Sequence, residues 1–206
     1  MATKRQIAEQ AMRILSGGNP KPDNPWDIRE FMLVLDQLRD YRCRIDTFNN
    51  VKMGEYRVDE DYLSFYESVS VSTDAVKSLK YITLPADPIS LPYGLGLYQI
   101  TPIGDMEDAY IIIPAGSAAI YSGTQALEHE LKVFCWQVGG IVYFKNIDAA
   151  VSEVTVLMAA SSKSITESAT YPVPPDVEAE LLQQLVQTFD PMRQIPHDEM
   201  DDGKKA

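Results

Sequence analysis

Catalysis and metal binding draw on a few residue types, and the scarcest of them here is histidine. The 206-residue chain has two, His129 and His197. His129 stands between Glu128 and Glu130 without the second histidine that a helical zinc-protease motif places on the same face. A surface histidine between carboxylates is the simpler reading. His197 is followed by Asp198 and Glu199, a set that could catch a divalent ion weakly, although a segment without a core gives its donors no fixed geometry. Carboxylates also gather at Asp59-Glu60-Asp61 and at Asp105-Met106-Glu107-Asp108. Neither run has calcium-loop spacing or an obvious set of supporting partners, so both read as solvated turns. Gly94-Leu95-Gly96 lacks the third glycine and the following helix of a dinucleotide loop, and the sequence contains no nucleophile elbow or phosphate-binding loop. Scattered residues can still assemble a site, but every common motif fails. The expectation is a protein without enzymatic activity, metal or cofactor.

The elements that would position such residues are bounded by composition. Hydrophobic residues make up 45% of the chain, enough for a folded core and too many for disorder. The formal net charge is −12, from 30 acidic and 18 basic residues. The excess lies beyond the first 49 residues, and Asp148 to Asp190 holds seven acids against one base, Lys163. Nucleic-acid affinity comes mainly from cations that displace counterions, so this surface should repel DNA, not grip it. Repulsion is compatible with DNA passing nearby. Cys43 and Cys135 form no metal or disulfide pattern and read as half-buried free thiols in a reducing cytoplasm. The opening residues lack the apolar run of a signal peptide, and no stretch approaches the roughly 20 apolar residues of a membrane span.

Periodicity divides the chain into segments. Residues 3–15 read as a helix capped by Thr3, with Gln6 completing a capping box and Ser16-Gly17-Gly18 ending it. A proline-stiffened loop follows. A longer helix then runs from Asp27 to about Asn49, with Trp26 placed to staple onto Phe31. Arg39, Arg42 and Arg44 are expected in its last turns, where cations suit the helix dipole. From 56 to 160 the pattern is strand-like: 65–71, 79–84, 96–101, 110–113, 118–121, a hairpin of 131–138 and 141–145 joined by Gly139-Gly140, and 153–159. Prolines 85, 88, 92, 102 and 114 argue for short edge strands and corners. After a polar loop, Asp176 caps a third helix to about Phe189, with Pro191 ending it. Residues 191–206 read as a flexible tail.

Helices and strands are segregated, so the fold class is α+β: a helical bundle of residues 1–55 and 161–190 with an inserted antiparallel β-rich lobe at 56–160. Nine of the eleven tyrosines lie in that lobe. Tyrosine is a good strand residue and also common at interfaces, so part of this set marks a partner surface.

Three stretches carry a family likeness. MATKRQIAEQAMRILSGGN (1–19), TLPADPISLPYGLGLYQITP (83–102) and IPAGS (113–117) resemble a virion structural protein family of crAss-like bacteriophages. With the helix from Asp176, the likeness spans most of the chain. The resemblance implies a head-to-tail connector, a tail-adaptor ring beneath the portal through which DNA is ejected. It implies a cyclic homo-oligomer (twelve-fold by resemblance) that contacts the portal and further tail or ring proteins, with DNA passing unbound and no membrane. The protein would be made in the host bacterial cytoplasm and end in the virion. No catalytic residues come with the likeness. Interface candidates are Arg39, Arg42 and Arg44 on the long helix, with Met192 and Ile195 as anchors in the tail. The alternatives are a host- or partner-binding β module of the virion and a small hydrolase.

Overall fold

The computed structural model describes residues 2–18, 27–117 and 132–193, with the backbone alone for 191–193. The proline loop before the long helix, Trp26, the expected strand at 118–121, both histidines, Ile195 and the tail beyond Arg193 lie outside the described residues. The class is α+β, with two N-terminal helices, one C-terminal helix and sheets that are antiparallel but for one strand pair. The chain divides into two compact units. One takes the chain up to Arg39 and from Thr166 onward, and the other runs from Asp40 to Ile165.

The described residues of the first unit draw on three helices. α1 (Lys4–Leu15) carries the expected capping box: Gln6 N–H donates to Thr3 Oγ1, and Thr3 N–H to Gln6 Oε1. Gly17 and Gly18 take positive φ after it, where a side chain would be strained, and stop the helix. α2 (Ile28–Lys52) starts at Asp27, whose Oδ1 accepts from Arg29 N–H. α3 spans Pro175–Arg193. The pattern of Ile7, Ala8, Ala11 and Leu15 buries one face of α1, and Leu181, Leu185 and Phe189 do the same for α3. Phe31 and Phe189 stack at 4.0 Å between ring centroids, 9° from parallel. Truncating either ring in this core would cost about 3–5 kcal/mol. The N-terminal residues are tied in by a bridge between Thr3 and Thr170 and by Tyr171 N–H donating to Ala2 O at 3.1 Å.

Two helix ends differ from expectation. α2 continues past Asn49 to Lys52, so Arg39, Arg42 and Arg44 sit in its middle, and Lys52 is the cation of the last turn. Gly54, at φ 85°, supplies the stop. α3 runs through Pro191. Within three residues of a helix end, a proline forfeits a single backbone donor, which the remaining turn tolerates.

The described residues of the second unit hold the rest of α2 and eight strands: β1 (Ser64–Ser70), β2 (Ser72–Asp74), β3 (Leu79–Thr83), β4 (Leu97–Pro102), β5 (Ile111–Ile112), β6 (Phe134–Val138), β7 (Ile141–Lys145) and β8 (Glu153–Met158). They form a three-stranded sheet, β1-β8-β4, and a five-stranded sheet, β2-β3-β7-β6-β5. All pairings are antiparallel except β5 with β6. Alternation sends Ile82, Val142, Phe144 and Cys135 from one sheet, and Leu97, Ile100, Val156 and Met158 from the other, into one shared core. Prolines close several strands as anticipated: Pro85 follows β3, Pro102 ends β4 and Pro114 follows β5. β2 was not anticipated from sequence; Asp74 Oδ1 accepts from the N–H groups of Val76 and Lys77 and turns it into β3.

The β6–β7 hairpin turns at Gly139-Gly140, but only Gly139 takes a positive φ, 61°. Two adjacent glycines in a tight hairpin suggest positive φ at both, and Gly140 does not take it. Positive φ at the first central residue alone is the pattern of a type II′ turn, which matches the strand twist as well as type I′ does.

Candidate functional site

The long helix α2 shows first what its polar residues do. In the first unit, Lys4 Nζ lies 2.6 Å from Asp36 Oδ2, and the Tyr171 hydroxyl donates to Asp36 Oδ1 at 3.2 Å. Arg39 is fully buried: its Nε donates to Pro172 O at 3.1 Å, and its guanidinium sits 6.0 Å from the Tyr171 ring centroid. In the second unit, Asp40 accepts from Ser161 Oγ (3.0 Å), Ser162 N–H (3.1 Å) and Ser162 Oγ (2.6 Å). Asp46 Oδ2 accepts from both Arg42 Nε (3.1 Å) and the Tyr62 hydroxyl (2.8 Å). Burial, and then the bond to Asp46, push the Tyr62 pKa far above its ordinary value. These are hydroxyl, carboxylate and cation sets, yet Ser162, Tyr62 and Tyr171 are closed to solvent. A nucleophile that no substrate can reach does no chemistry, so the sets act as latches that hold neighbouring segments onto the helix. For the buried Lys4–Asp36 pair, removing one partner costs about 3–5 kcal/mol; the partly exposed sets are worth less.

The sequence candidates therefore separate. Arg39 faces the interior of its unit, Arg42 pairs with Asp46, and Arg44 is exposed. Met192 lies in the last turn of α3 by its backbone, and Ile195 is outside the described residues. Both acidic runs lie in turns. Asp59 Oδ1 accepts from Asp61 N–H at 3.2 Å, and Asp105 Oδ1 from the N–H groups of Glu107 and Asp108 at 3.0 and 3.2 Å. Among the described residues, no three histidine, cysteine or acidic side chains converge on a point where a metal could sit. Cys135 is buried in the sheet core, which pushes its thiol up to about 12 and leaves it inert at neutral pH. Gly94-Leu95-Gly96 leads into a strand, β4. A Cβ on Gly96 would lie 2.1 Å from the carbonyl oxygen of Ile89, so this glycine is needed for close backbone packing.

Two surface features were missed by the sequence reading. On α2, Leu33, Gln37, Tyr41, Arg44 and Phe48 are all exposed. At 3.6 residues per turn these positions fall within an arc of about 80°, so the helix carries a second, outward stripe beside its buried one. Lys52 Nζ lies 4.5 Å from the Phe48 ring centroid at its end. The spacing was legible, but the inward set of Phe31, Leu35, Leu38 and Ile45 explains the helix without it.

The other feature is an aromatic pair. Tyr56 and Tyr93 meet edge to face, 5.3 Å between ring centroids and 78° between planes, while remaining 62% and 77% exposed. Tyr93 has φ 57° and ψ 17°, the left-handed region, at a cost of about 1–2 kcal/mol for a residue with a Cβ. The other described non-glycine residues at positive φ are Ser68, Ser78 and Asn146, small polar types that suit turns. The loop around Tyr93 is tightly held: Ile89 and Leu91 are buried, Ile89 N–H donates to Ala159 O at 2.8 Å, and Ser161 N–H to Asp87 O at 2.7 Å. One residue past Tyr56 begins an open cleft of about 450 Å³ lined by Asn50, Arg57, Val58, Asp59, Glu60, Asp61 and Tyr98.

Among the described residues no helix is long and apolar enough to cross a membrane. No protein-family model matches this chain, and no curated protein is significantly similar to it.

Proposed function

We propose that this chain is a structural subunit of a phage head-to-tail connector ring, the portal-proximal adaptor that forms part of the DNA conduit. The observation that carries the reading is the exposed stripe on α2. Leu33, Tyr41 and Phe48 are large apolar or amphipathic groups left in solvent between positions 33 and 48 of this 25-residue helix. A helix with a second unpartnered stripe gains by packing against another chain. Around a closed ring each subunit offers one surface to the neighbour on its left and a different one to the right, so such a face would be covered in every copy. The resemblance of residues 1–19, 83–102 and 113–117 to crAss-like phage virion proteins supplies the context. The net charge of −12 suits a conduit that lets DNA slide past without retaining it. Arg44, within the stripe, is the remaining exposed arginine of the three sequence candidates, and the segment from Met192 onward is the docking tail toward the portal.

Cross-linking of intact particles tests the reading. A ladder of homo-oligomers is expected, weakened when Tyr41→Glu and Phe48→Glu place charge in the stripe. Monomer bands with links to unrelated proteins alone would refute it. Removal of residues 191–206, which trims three residues from the end of α3, is expected to leave far-ultraviolet circular dichroism nearly unchanged while blocking incorporation. Infectious particles built from that truncation would refute the docking role of the tail.

A further inference from the structure

We infer that the Tyr56–Tyr93 pair and the acidic cleft beside it form a docking surface for an arginine-bearing, extended segment of a partner protein. The inference is independent of the ring reading, because it concerns the β-rich unit by itself. Three observations meet here. The two rings are well exposed yet fixed against each other at 5.3 Å, so a partner would meet them without first having to order them. Tyr93 is held in a left-handed conformation that glycine or asparagine would adopt more easily, and most of its ring surface touches nothing in its own chain. The edge contact with Tyr56 engages only part of the ring, so packing within the chain leaves most of this aromatic surface without a role.

Charge selects the partner. The cleft that opens after Tyr56 presents Asp59, Glu60 and Asp61 against one cation, Arg57. Arg57 Nε is already engaged by Glu55 Oε2 at 2.8 Å. A guanidinium laid over an exposed tyrosine face meets the negative side of the ring, and its neighbours in sequence would reach the carboxylates. The site is therefore complementary to arginine-rich polypeptide and repels acidic polypeptide and nucleic-acid phosphate. The stretch 83–102, prominent in the sequence, thereby acquires a use beyond scaffolding: its buried residues Ile89 and Leu91 fix the loop, and Tyr93 is what the loop displays.

The test uses the purified full chain and a fluorescein-labelled Gly-Arg-Pro repeat peptide, read by fluorescence anisotropy at near-physiological salt, with a Gly-Glu-Pro repeat as the counterpart. The expected result is binding of the arginine peptide alone. Tyr93→Gly and Tyr56→Ala should each weaken it roughly three- to ten-fold, the range of a single cation–π contact. Asp148→Asn and Glu153→Gln, acids elsewhere in the same unit, should change it less than about two-fold by the same reckoning. Tyr93→Gly should melt no lower than the parent, which separates lost docking from lost folding. The inference is overturned if the peptide fails to bind, or if the tyrosine variants bind like the parent. It is equally overturned if the control acids matter as much as the tyrosines, because binding would then follow net charge. Self-association of the chain that depends on Tyr56 and Tyr93, without peptide binding, would assign the surface to a second copy instead.

Discussion

Lys80 offers the most quantitative test of how the β-rich unit is held together. Its ammonium has three donors and places each on a backbone carbonyl: Asp148 O at 2.9 Å, Ala149 O at 2.8 Å and Val151 O at 2.8 Å. One side chain on β3 thus closes the loop between β7 and β8. Lys80→Met keeps most of the apolar stem and deletes all three donors. The carbonyls of Asp148 and Ala149 can rehydrate, so each loses only a net bond of about 0.5–1 kcal/mol. The bond to Val151 O is partly buried, and losing a charged donor there costs about 1.5–3 kcal/mol. The sum is about 2.5–5 kcal/mol at full strength, and solvent access to the lysine lowers it to about 2–3 kcal/mol. Urea denaturation followed through the fluorescence of the two tryptophans should show a lower midpoint with an unchanged slope. Amide exchange should accelerate first at Ala150 and Val151, whose N–H groups donate to Asp148 Oδ1 and Asp148 O. A stability loss below about 0.5 kcal/mol would refute the reasoning, because it would mean that water replaces the ammonium at no cost.

Other outcomes follow from the same geometry. Gly96→Ala should cost at least about 2–3 kcal/mol in a urea melt, since the new methyl meets Ile89 O while Ile89 N–H and Gly96 O are both bonded to Ala159; a neutral result would show that the loop is free to shift. Gly139→Val should destabilise by about 1–2 kcal/mol and Gly140→Ala by far less, because only Gly139 has a positive φ; equal effects would exclude this turn. Cys135 has a pKa raised by burial to about 12 from an ordinary 9, so the folded state holds its proton more tightly. The stability this represents is complete below pH 9 and drains away as pH rises toward 12, by about 2 kcal/mol between pH 9 and 10.5. Cys135→Ala should flatten that dependence, and an unchanged slope would refute the assignment. Chelator treatment should leave the thermal midpoint unmoved; a drop of many degrees would mean that an acidic turn holds a metal.

Much of the fold was legible because its signals are local. The Thr3–Gln6 box, the Ser-Gly-Gly stop and the Gly-Gly hairpin are each contained within a few residues, and their geometry follows from side-chain reach and backbone freedom. What escaped depends on contacts that the local residue pattern does not reveal. Arg39 reads as a surface cation until its guanidinium finds the carbonyl of Pro172, 133 residues away. Gly96 belongs to a glycine pair too short for a dinucleotide loop, and its need for a missing side chain shows only where the backbone of Ile89 lies beside it. β2 has three residues and too little pattern to register, and its existence rests on pairing with β3. Tyr93 could be counted among the tyrosines of the lobe, but its strain and exposure belong to the folded loop alone.

The way the sheets end bears on solubility when many copies are crowded together. An outermost strand invites another chain to continue the ladder, the route by which native proteins polymerise into fibrils. Here the outer strands of the five-stranded sheet have three and two residues, β2 and β5. In the smaller sheet, β1 is broken by a bulge between Tyr66 and Val69, with Ser68 at φ 56°, and β4 ends on Pro102, which has no N–H to offer. Among the described residues, these borders are short, irregular in register or closed by a proline, features that discourage a new strand from pairing there. Concentrated solutions of the folded chain should therefore resist thioflavin-positive aggregation, leaving side-chain surfaces to decide how copies meet.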